Sequence, residues 1–207
     1  MPSDRLTLAF DTSAAHCAAA LVSGDRVLAT QIEEMRKGQA ERLMPLLEAV
    51  LVQGGATWAD LDVIGVGTGP GNFTGVRISV AAARGLSLGL GIPSEGVSLS
   101  EAYADGRDVI VCLPAPRDQV HMAWQGDIRL IDPDDLPVNW HAPLTGPAAP
   151  VVAAATGRAV EPAPDLATSI ARIAAARAAP GRARPAPVYL RPADAAPASD
   201  RPPVLLP

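Results

Sequence analysis

A glycine-rich stretch contains the first residues of this sequence whose types and spacing could do chemistry. Residues 67–77 read GTGPGNFTGVR and directly follow the run 62–66, DVIGV. A glycine loop that opens a helix presents free backbone N–H groups and the positive end of the helix dipole, so it can hold phosphate. Asp11, followed by Thr12 and Ser13, ends an earlier apolar run and could position a metal ion or a phosphate. These segments suggest an anion site or an ATP-dependent reaction.

The named phosphate motifs are absent from the glycine loop. A P-loop needs G-x-x-x-x-G-K-[ST], whose lysine reaches the terminal phosphates, and residues 70–73 read PGNF without a lysine. The spacing G-x-G-x-x-G fails from either starting glycine. Two interpretations of these residues remain. In the first, Asp11, Thr12, Gly69 and Gly71 form a weak anion site. In the second, which the sequence favours, the glycines supply positive φ and close helix–strand packing, and the carboxylate caps the turn after its strand.

The other catalytic patterns are also missing. No two of His16, His121 and His141 are spaced i, i+4, and neither H-E-x-x-H nor G-x-S-x-G occurs. Cys17 and Cys112 lie in apolar runs without C-x-x-C spacing, which favours buried free thiols in a reducing compartment. The sequence therefore predicts no catalytic residue, no metal site and no cofactor.

Composition limits the classes of partner. The chain has 207 residues, 48% of them hydrophobic, and a formal net charge of -5. This acidic balance argues against a broad basic surface, so we expect no direct tight binding of tRNA or other nucleic acid. No apolar window approaches the roughly 18 residues of a membrane helix, and Asp11 interrupts the first apolar run too early for a signal peptide. We expect a cytoplasmic protein without a membrane segment.

Alternating periodicities place these residues on an α/β layered sheet. Strands separated by short turns open the chain as an antiparallel meander, and strands and helices then alternate up to residue 113. A hairpin and one alanine-rich helix follow. The predicted strands are 6–10, 17–22, 26–32, 62–67, 92–98, 109–113, 120–125 and 128–131; the predicted helices are 40–54, 74–90, 99–105 and 166–179.

The last 28 residues and two arginines leave further questions open. Eight of residues 180–207 are proline, which predicts an extended or partly disordered tail anchored by residues 188–190, VYL.

Arg77 and Arg84 lie seven residues apart on one face of the predicted helix 74–90. They could form a solvated face or contact a carboxylate on a partner.

Five segments of the sequence together form a recognisable pattern. They are 8–13, LAFDTS; 39–45, QAERLMP; 69–78, GPGNFTGVRI; 96–98, GVS; and 187–191, PVYLR. This pattern resembles the TsaB (YeaZ-type) family, the bacterial accessory subunit for making threonylcarbamoyladenosine in tRNA. Most of the likeness lies between residue 6 and about residue 112, and the string GPGNFTGVRI is highly specific.

The resemblance implies an actin/sugar-kinase/Hsp70-like ATPase fold with two ribonuclease-H-like subdomains, the second reduced. We expect the first subdomain at 1–105, the reduced second one at 106–179 and the proline-rich tail at 180–207. The catalytic relatives of this family, the TsaD subunits, hold a metal with an H-x-x-x-H pair on the first long helix. Residues 39–43 read QAERL here, with neither histidine, so this chain cannot build that metal site.

The resemblance also implies a binding role. A non-catalytic scaffold would bind a TsaD-like subunit through the helices at 39–52 and 74–89, would be joined by a TsaE-like ATPase, and would form a homodimer when alone. An apolar face and a row of small side chains four apart suit such packing. The predicted interface residues are Leu43, Leu46, Leu47, Val50, Gly75, Val76, Ser79 and Ala83.

Some residues depart from the family pattern, and other functions stay open. The family commonly has serine at position 72 and glycine at position 79, where Asn72 and Ser79 stand here. It also tends to have an Asp-Ala-Arg run where this chain reads Pro114-Ala-Pro-Arg117, and the missing aspartate removes one side chain that such a loop could use.

The alternative function is a stand-alone ATP-binding kinase or hydrolase of the same fold. A peptidase follows only from older family naming.

Overall fold

Two β-sheets, each with helices packed on it, form the part of the chain that the computed structural model describes, residues 4–179 and 181–189. The first sheet has the strand order β3-β2-β1-β4-β5. Its first three strands form the predicted antiparallel meander, and β4 and β5 run parallel to β1. The strands are β1 Leu6–Asp11, β2 His16–Ser23, β3 Arg26–Glu34, β4 Val63–Gly67 and β5 Ser94–Val97.

Helices cover both faces of this sheet because side chains alternate along its buried strands. Helices α1 (Gln39–Gln53) and α2 (Phe73–Leu90) pack on the face that contains Leu8 and Phe10. Helices α3 (Leu99–Ala104) and α5 (Leu166–Arg177) share a core with the opposite face, which contains Ala9. The predicted helices 40–54, 74–90, 99–105 and 166–179 are thus confirmed to within a few residues.

The second sheet is smaller and has the order β8-β7-β6-β9. Its strands are β6 Ile110–Pro114, β7 Val120–Trp124, β8 Asp127–Ile131 and β9 Leu144–Thr145, and helix α4 (Ala149–Thr156) packs against it. The hairpin β7–β8 was predicted from the sequence. Strand β9 and helix α4 were not, because β9 has two residues and α4 has no one-sided apolar period.

One continuous core joins the two sheets. Val111 and Leu113 of β6 belong to the same buried cluster as Ala9 of β1 and Ile170 of α5. Helix α5, which falls within the predicted second subdomain 106–179, therefore packs on the first sheet. The division into subdomains at residue 105 stays a prediction.

The described segment after α5 runs back over the first sheet. Residues 181–189 contact β5, the loop after β4 and α2 through several polar groups. Of the predicted anchor 188–190, the last residue lies outside the described residues, as does most of the predicted tail. Within the described ranges, no helix is both long and apolar enough to cross a membrane.

Candidate functional site

Asp11 lies at the end of β1, and its carboxylate is tied into the turn that follows. Its Oδ1 accepts hydrogen bonds from the backbone N–H of Ser13 at 2.9 Å and from the Ser13 hydroxyl at 2.7 Å. The Nε2 atom of His16, at the start of β2, lies 2.9 Å from the same oxygen. All three side chains are buried. The predicted capping of the turn by this carboxylate is confirmed.

The neighbouring strand β4 leaves room for this carboxylate only because it ends in glycine. A Cβ atom on Gly67 would lie 2.0 Å from Asp11 Oδ2. That oxygen is buried and has no hydrogen-bond partner within the described residues. The first glycine of the loop thus serves close packing against β1, as the sequence favoured.

The carboxylate of Asp11 shifts the pKa values of two neighbouring groups. Burial lowers the pKa of His16, but the hydrogen bond to Asp11 and the charges of Asp11 and Glu34 outweigh burial and raise the pKa above the ordinary 6.5. Burial raises the pKa of Tyr103 to about 12, and the charges of Asp11, Asp165 and Glu34 add to that shift. The partner of this carboxylate is therefore the imidazole of His16, whose charged form it favours.

The donors at the start of α2 are satisfied by the protein itself. Asn72 Oδ1 accepts from the backbone N–H groups of Thr74 and Gly75, each at 3.0 Å, as an N-cap residue does. The backbone N–H of Asn72 donates to the Ser13 carbonyl at 2.6 Å. A phosphate would have to displace these bonds, since a helix N-terminus holds anions with the same N–H groups.

The glycine loop and the end of β1 pack directly on each other. A Cβ on Gly71 would lie 2.4 Å from the Ser13 carbonyl oxygen, and a Cβ on Gly75 would lie 2.0 Å from that of Thr12. The Thr12 hydroxyl donates to the Gly75 carbonyl at 2.7 Å. The structure therefore places Thr12 and Gly71 of the predicted anion site at one junction beside Asp11, while Gly69 lies two residues before Gly71 and packs on Val76 and the Val188 carbonyl.

The serine, histidine and aspartate of this site are not arranged as a catalytic triad. Ser13 and His16 bind the same oxygen of Asp11, so the imidazole is not arranged as a base for the serine hydroxyl. Over the ranges 4–179 and 181–189, no group of three or more His, Cys, Asp or Glu side chains could hold a metal ion. The arrangement stabilises a strand–turn junction.

The predicted interface residues on α1 and α2 face inward. Seven of the eight have at most 3% exposed surface, and the remaining one, Gly75, is buried as well. They lie on the helix faces that pack against the first sheet and form the core between helices and strands. They are buried in the single chain, and their assignment to an interface stays a prediction. They are Leu43, Leu46, Leu47, Val50, Gly75, Val76, Ser79 and Ala83.

A second row of small residues on α2 faces outward instead. Ala81, Gly85 and Gly89 are four apart and exposed, and a Cβ on either glycine would meet no atom within 4 Å. Two large apolar side chains are also exposed on these helices, Leu88 on α2 and Val52 on α1, each at 78%. The sequence analysis missed this row, although its spacing equals that of the inward row.

The two arginines on α2 bind the end of the same chain. Arg77 Nε donates to the Tyr189 hydroxyl at 2.9 Å, and Arg84 Nε donates to the Pro185 carbonyl at 2.7 Å. The guanidinium of Arg77 also lies 3.6 Å from the ring centroid of Phe73. In the described residues these arginines therefore form neither of the two predicted arrangements, a purely solvated face or a contact with a carboxylate.

Comparison with protein-family models matches this chain to TsaD, tRNA N6-adenosine threonylcarbamoyltransferase. The match covers residues 26–135, just over half of the chain. It includes α1, the glycine loop, α2 and the first strands of the second sheet.

Curated relatives fall into two groups. The tRNA threonylcarbamoyladenosine biosynthesis protein TsaB of Escherichia coli is 35% identical over 99 residues, covering 48% of this chain and 42% of that protein. The TsaB protein of Buchnera aphidicola subsp. Schizaphis graminum is 38% identical over 93 residues, covering 45% and 44%. These matches span less than half the length of either TsaB protein. An uncharacterized protein of Mycobacterium tuberculosis is 35% identical over 200 residues, covering 92% of this chain and 93% of that protein.

Two solved structures from Pseudomonas aeruginosa share the fold over nearly the whole chain. YeaZ superposes with a TM-score of 0.66 at 25% identity, covering 90% of this chain and 100% of that one. A protein described as similar to peptidase YEAZ gives a TM-score of 0.68 at 26% identity with the same coverage. With the strand orders above, these likenesses confirm the predicted actin/sugar-kinase/Hsp70-like α/β fold.

Proposed function

Because the chain belongs to the family of the TsaD model and is of the TsaB/YeaZ type, we propose that it is a non-catalytic subunit in the biosynthesis of threonylcarbamoyladenosine in tRNA. In this role it binds and activates a TsaD-like transferase. The observation that carries the proposal is the outward row of small residues on α2, which offers a helix-docking face on a chain without the metal ligands of TsaD.

The outward row favours close contact with another helix. Small side chains let two helix axes approach closely, and the absence of protein atoms around Gly85 and Gly89 leaves space for a partner's side chains. Leu88 lies beside the row with most of its side chain in solvent. Glycines inside a helix lower its stability, which is tolerable where they serve packing.

Helix α1 extends the same surface. It packs beside α2 on one face of the first sheet, and Met44 and Val52 are its exposed large apolar side chains. Two adjacent helices facing an equivalent pair bury more apolar area than one helix could. We therefore propose a helical bundle with the corresponding helices of a TsaD-like subunit, or with a second copy of this chain when the partner is absent.

The non-catalytic part of the proposal is supported by the chemistry of α1. Its first turns, from Gln39 to Leu43, carry no histidine, whereas the TsaD relatives use a pair of histidines there for their metal. In the proposed complex the transferase supplies the metal, and a TsaE-like ATPase joins the pair. The acidic charge of this chain leaves tight tRNA binding to its partners.

One observation favours the alternative of a stand-alone ATP-binding kinase or hydrolase. Asp11 Oδ2 is buried without a hydrogen-bond partner in the described part of the chain, and a carboxylate at this strand end could orient a hydrated cation. Titration of the isolated chain with ATP and magnesium separates the two functions. Tight binding with turnover supports the enzyme, and neither is expected of the scaffold.

The docking proposal is tested by matched substitutions on two helices. Ala81→Leu and Gly85→Leu place a large side chain on the outward face of α2, while Ala154→Leu does the same on the exposed surface of α4. With a TsaD-like protein in isothermal calorimetry, the α2 variants should bind at least about tenfold more weakly than the wild-type chain, since one clash costs more than about 1.4 kcal/mol. The α4 variant should bind normally.

Two results would overturn the proposal. If the wild-type chain does not bind the TsaD-like protein, the scaffold function is wrong. If the α2 variants bind as tightly as Ala154→Leu, the docking face lies elsewhere. Leu46→Asp is unsuitable for this experiment because Leu46 has no exposed surface and its substitution unfolds the core.

A further inference from the structure

We propose that residues 181–189, named the clasp here, hold α2 on the first sheet and thereby position its outward face for a partner. The effect on α2 concerns this chain alone, while the effect on a partner rests on the function proposed above. The clasp contacts the first sheet and α2 at four separate points, each described below. Together they span most of the length of α2.

The first contact pairs a buried carboxylate with an arginine of the clasp. Glu95, on the edge strand β5, is 3% exposed, and its Oε1 lies 2.6 Å from Nε of Arg182. A buried carboxylate is costly unless a cation or hydrogen-bond donor faces it. Arg182 is the cation that the described residues supply in an ion pair with Glu95. The first sheet therefore depends on the clasp for the charge balance of its edge strand.

The second contact joins the clasp to the middle of α2. Arg84 Nε donates to the backbone carbonyl of Pro185 at 2.7 Å, and Pro185 is itself buried. Pro185 packs beside Gly96 of β5, where a Cβ would lie 3.4 Å from the proline Cβ. One residue of the clasp thus contacts both α2 and β5.

The third contact lies at the root of the glycine loop. The backbone N–H of Val188 donates to the carbonyl of Thr68 at 2.8 Å, directly after the end of β4. A Cβ on Gly69 would lie 3.3 Å from the Val188 carbonyl oxygen, so the glycine permits the clasp to approach. The glycine loop is therefore partly covered by the clasp.

The fourth contact is an aromatic and cationic cluster on the first turn of α2. The rings of Phe73 and Tyr189 have centroids 5.2 Å apart, and Arg77 donates to the Tyr189 hydroxyl while lying over the Phe73 ring. Aromatic pairs and cation–π contacts each add to the stability of such clusters. The cluster ties the beginning of α2 to the end of the clasp.

The clasp contacts one end of the helix surface that carries the docking face and leaves the rest of it open. Phe73 and Arg77, which the clasp contacts, continue the four-residue spacing of the outward row toward the start of α2. Ala81, Gly85 and Gly89 are nonetheless exposed, and no clasp atom lies within 4 Å of a Cβ placed on either glycine. The clasp can therefore hold α2 without covering the row. A helix that is fixed before binding loses less conformational freedom on binding, which raises affinity.

Three identical substitutions test the clasp in the full chain. Arg84→Met and Arg182→Met each remove one contact. Arg184→Met removes an exposed arginine of the clasp, two residues after Arg182, that makes no polar contact within the described residues. Arginine and methionine have similar helix propensities, so the change on α2 itself is small. Hydrogen exchange of the amides at 76–83 is the readout, with the amides of β7 as an internal reference.

The expected result is local opening of α2. Arg84→Met and Arg182→Met should accelerate exchange at 76–83 by about tenfold relative to the β7 amides, while Arg184→Met leaves the ratio unchanged. Equal exchange in all three variants and the wild-type chain would overturn the clasp. Acceleration of β7 to the same degree would also overturn it, because the contacts would then support global stability alone.

Calorimetry with the TsaD-like protein tests the second half of the proposal. Arg84→Met and Arg182→Met should weaken binding by about fivefold to tenfold, and Arg184→Met should not. If exchange at 76–83 accelerates but affinity stays the same, the clasp does not position the docking face. If the wild-type chain fails to bind, the proposed function fails, while the exchange experiment still decides whether the clasp holds α2.

Discussion

The imidazole Nε2 of His16 and the carboxylate Oδ1 of Asp11 lie 2.9 Å apart in a region where both side chains are buried. The same oxygen accepts two hydrogen bonds from Ser13. This pair joins the end of β1 to the start of β2, next to the glycine loop. The pair therefore makes stability depend on the charge of one histidine.

We expect the contribution of His16 to stability to fall as the pH rises. Its pKa is raised above 6.5 in the folded chain, because the attraction of Asp11 and Glu34 outweighs the cost of burying the charge. The contribution is then complete below the unfolded-state pKa, near 6.5, and is lost as the pH rises through the folded-state pKa. Urea unfolding of wild type and His16→Gln should show a smaller stability difference at high pH than at low pH.

The Asp11→Asn background controls this experiment. Without the carboxylate charge, His16→Gln should no longer produce a stability difference with the same pH dependence, which a double-mutant cycle measures. An unchanged pH dependence in Asp11→Asn would show that another group is responsible.

Glycine substitutions distinguish the inward and outward rows of α2. Gly75→Ala places a Cβ 2.0 Å from the Thr12 carbonyl oxygen and should destabilise the chain by about 3 kcal/mol through overpacking. Gly85→Ala meets no atom within 4 Å and should stabilise it by about 0.5–1 kcal/mol, because alanine favours the helix. Chemical denaturation of both variants measures the contrast, and equal effects would contradict the assigned faces.

Asn72 should act as a helix cap. Removing its side-chain oxygen in Asn72→Ala leaves the N–H groups of Thr74 and Gly75 without their acceptor and should cost about 1 kcal/mol. Asn72→Ser keeps a capping oxygen and should cost less. Thermal melts of the two variants test this, and a neutral Asn72→Ala would argue that another acceptor serves these donors.

Both cysteines should be unreactive in the folded chain. Burial raises the pKa of Cys112 to about 12, and burial together with the nearby Glu33 charge raises the pKa of Cys17 to about 11. Because the thiolate is the reactive form, iodoacetamide at pH 8 should label neither residue until the chain unfolds. Mass spectrometry of native and urea-unfolded samples is the measurement. Rapid native labelling of either thiol would contradict its burial.

Local patterns explain how much of the fold was predictable from the sequence. The alternation of β1 to β3, the apolar period of α1 and the turn residues between them are all properties of short segments. Strand β9 and helix α4 lack such a signal: β9 has two residues, and α4 is formed by alanines and valines without a polar face. These elements depend on packing against β6.

The candidate site was predicted less well because its orientation is set by distant contacts. The inward row from Gly75 and the outward row from Ala81 have the same four-residue spacing, so spacing alone cannot assign their faces. The contact of Gly75 with Thr12 shows that the row from Gly75 faces inward, and these two residues are far apart in the sequence. The contact between Arg77 and Tyr189 is similarly remote, joining residues 112 positions apart.

Reconstituted tRNA modification tests the central claim most directly. Threonylcarbamoyladenosine would be quantified by mass spectrometry of tRNA after incubation with TsaD-like and TsaE-like proteins and an activated threonylcarbamoyl donor, with and without this chain. We expect modification to require the wild-type chain or Ala154→Leu, and to fall at least about tenfold with Gly85→Leu, following the loss of docking. Modification at the same level without this chain would contradict the proposed function.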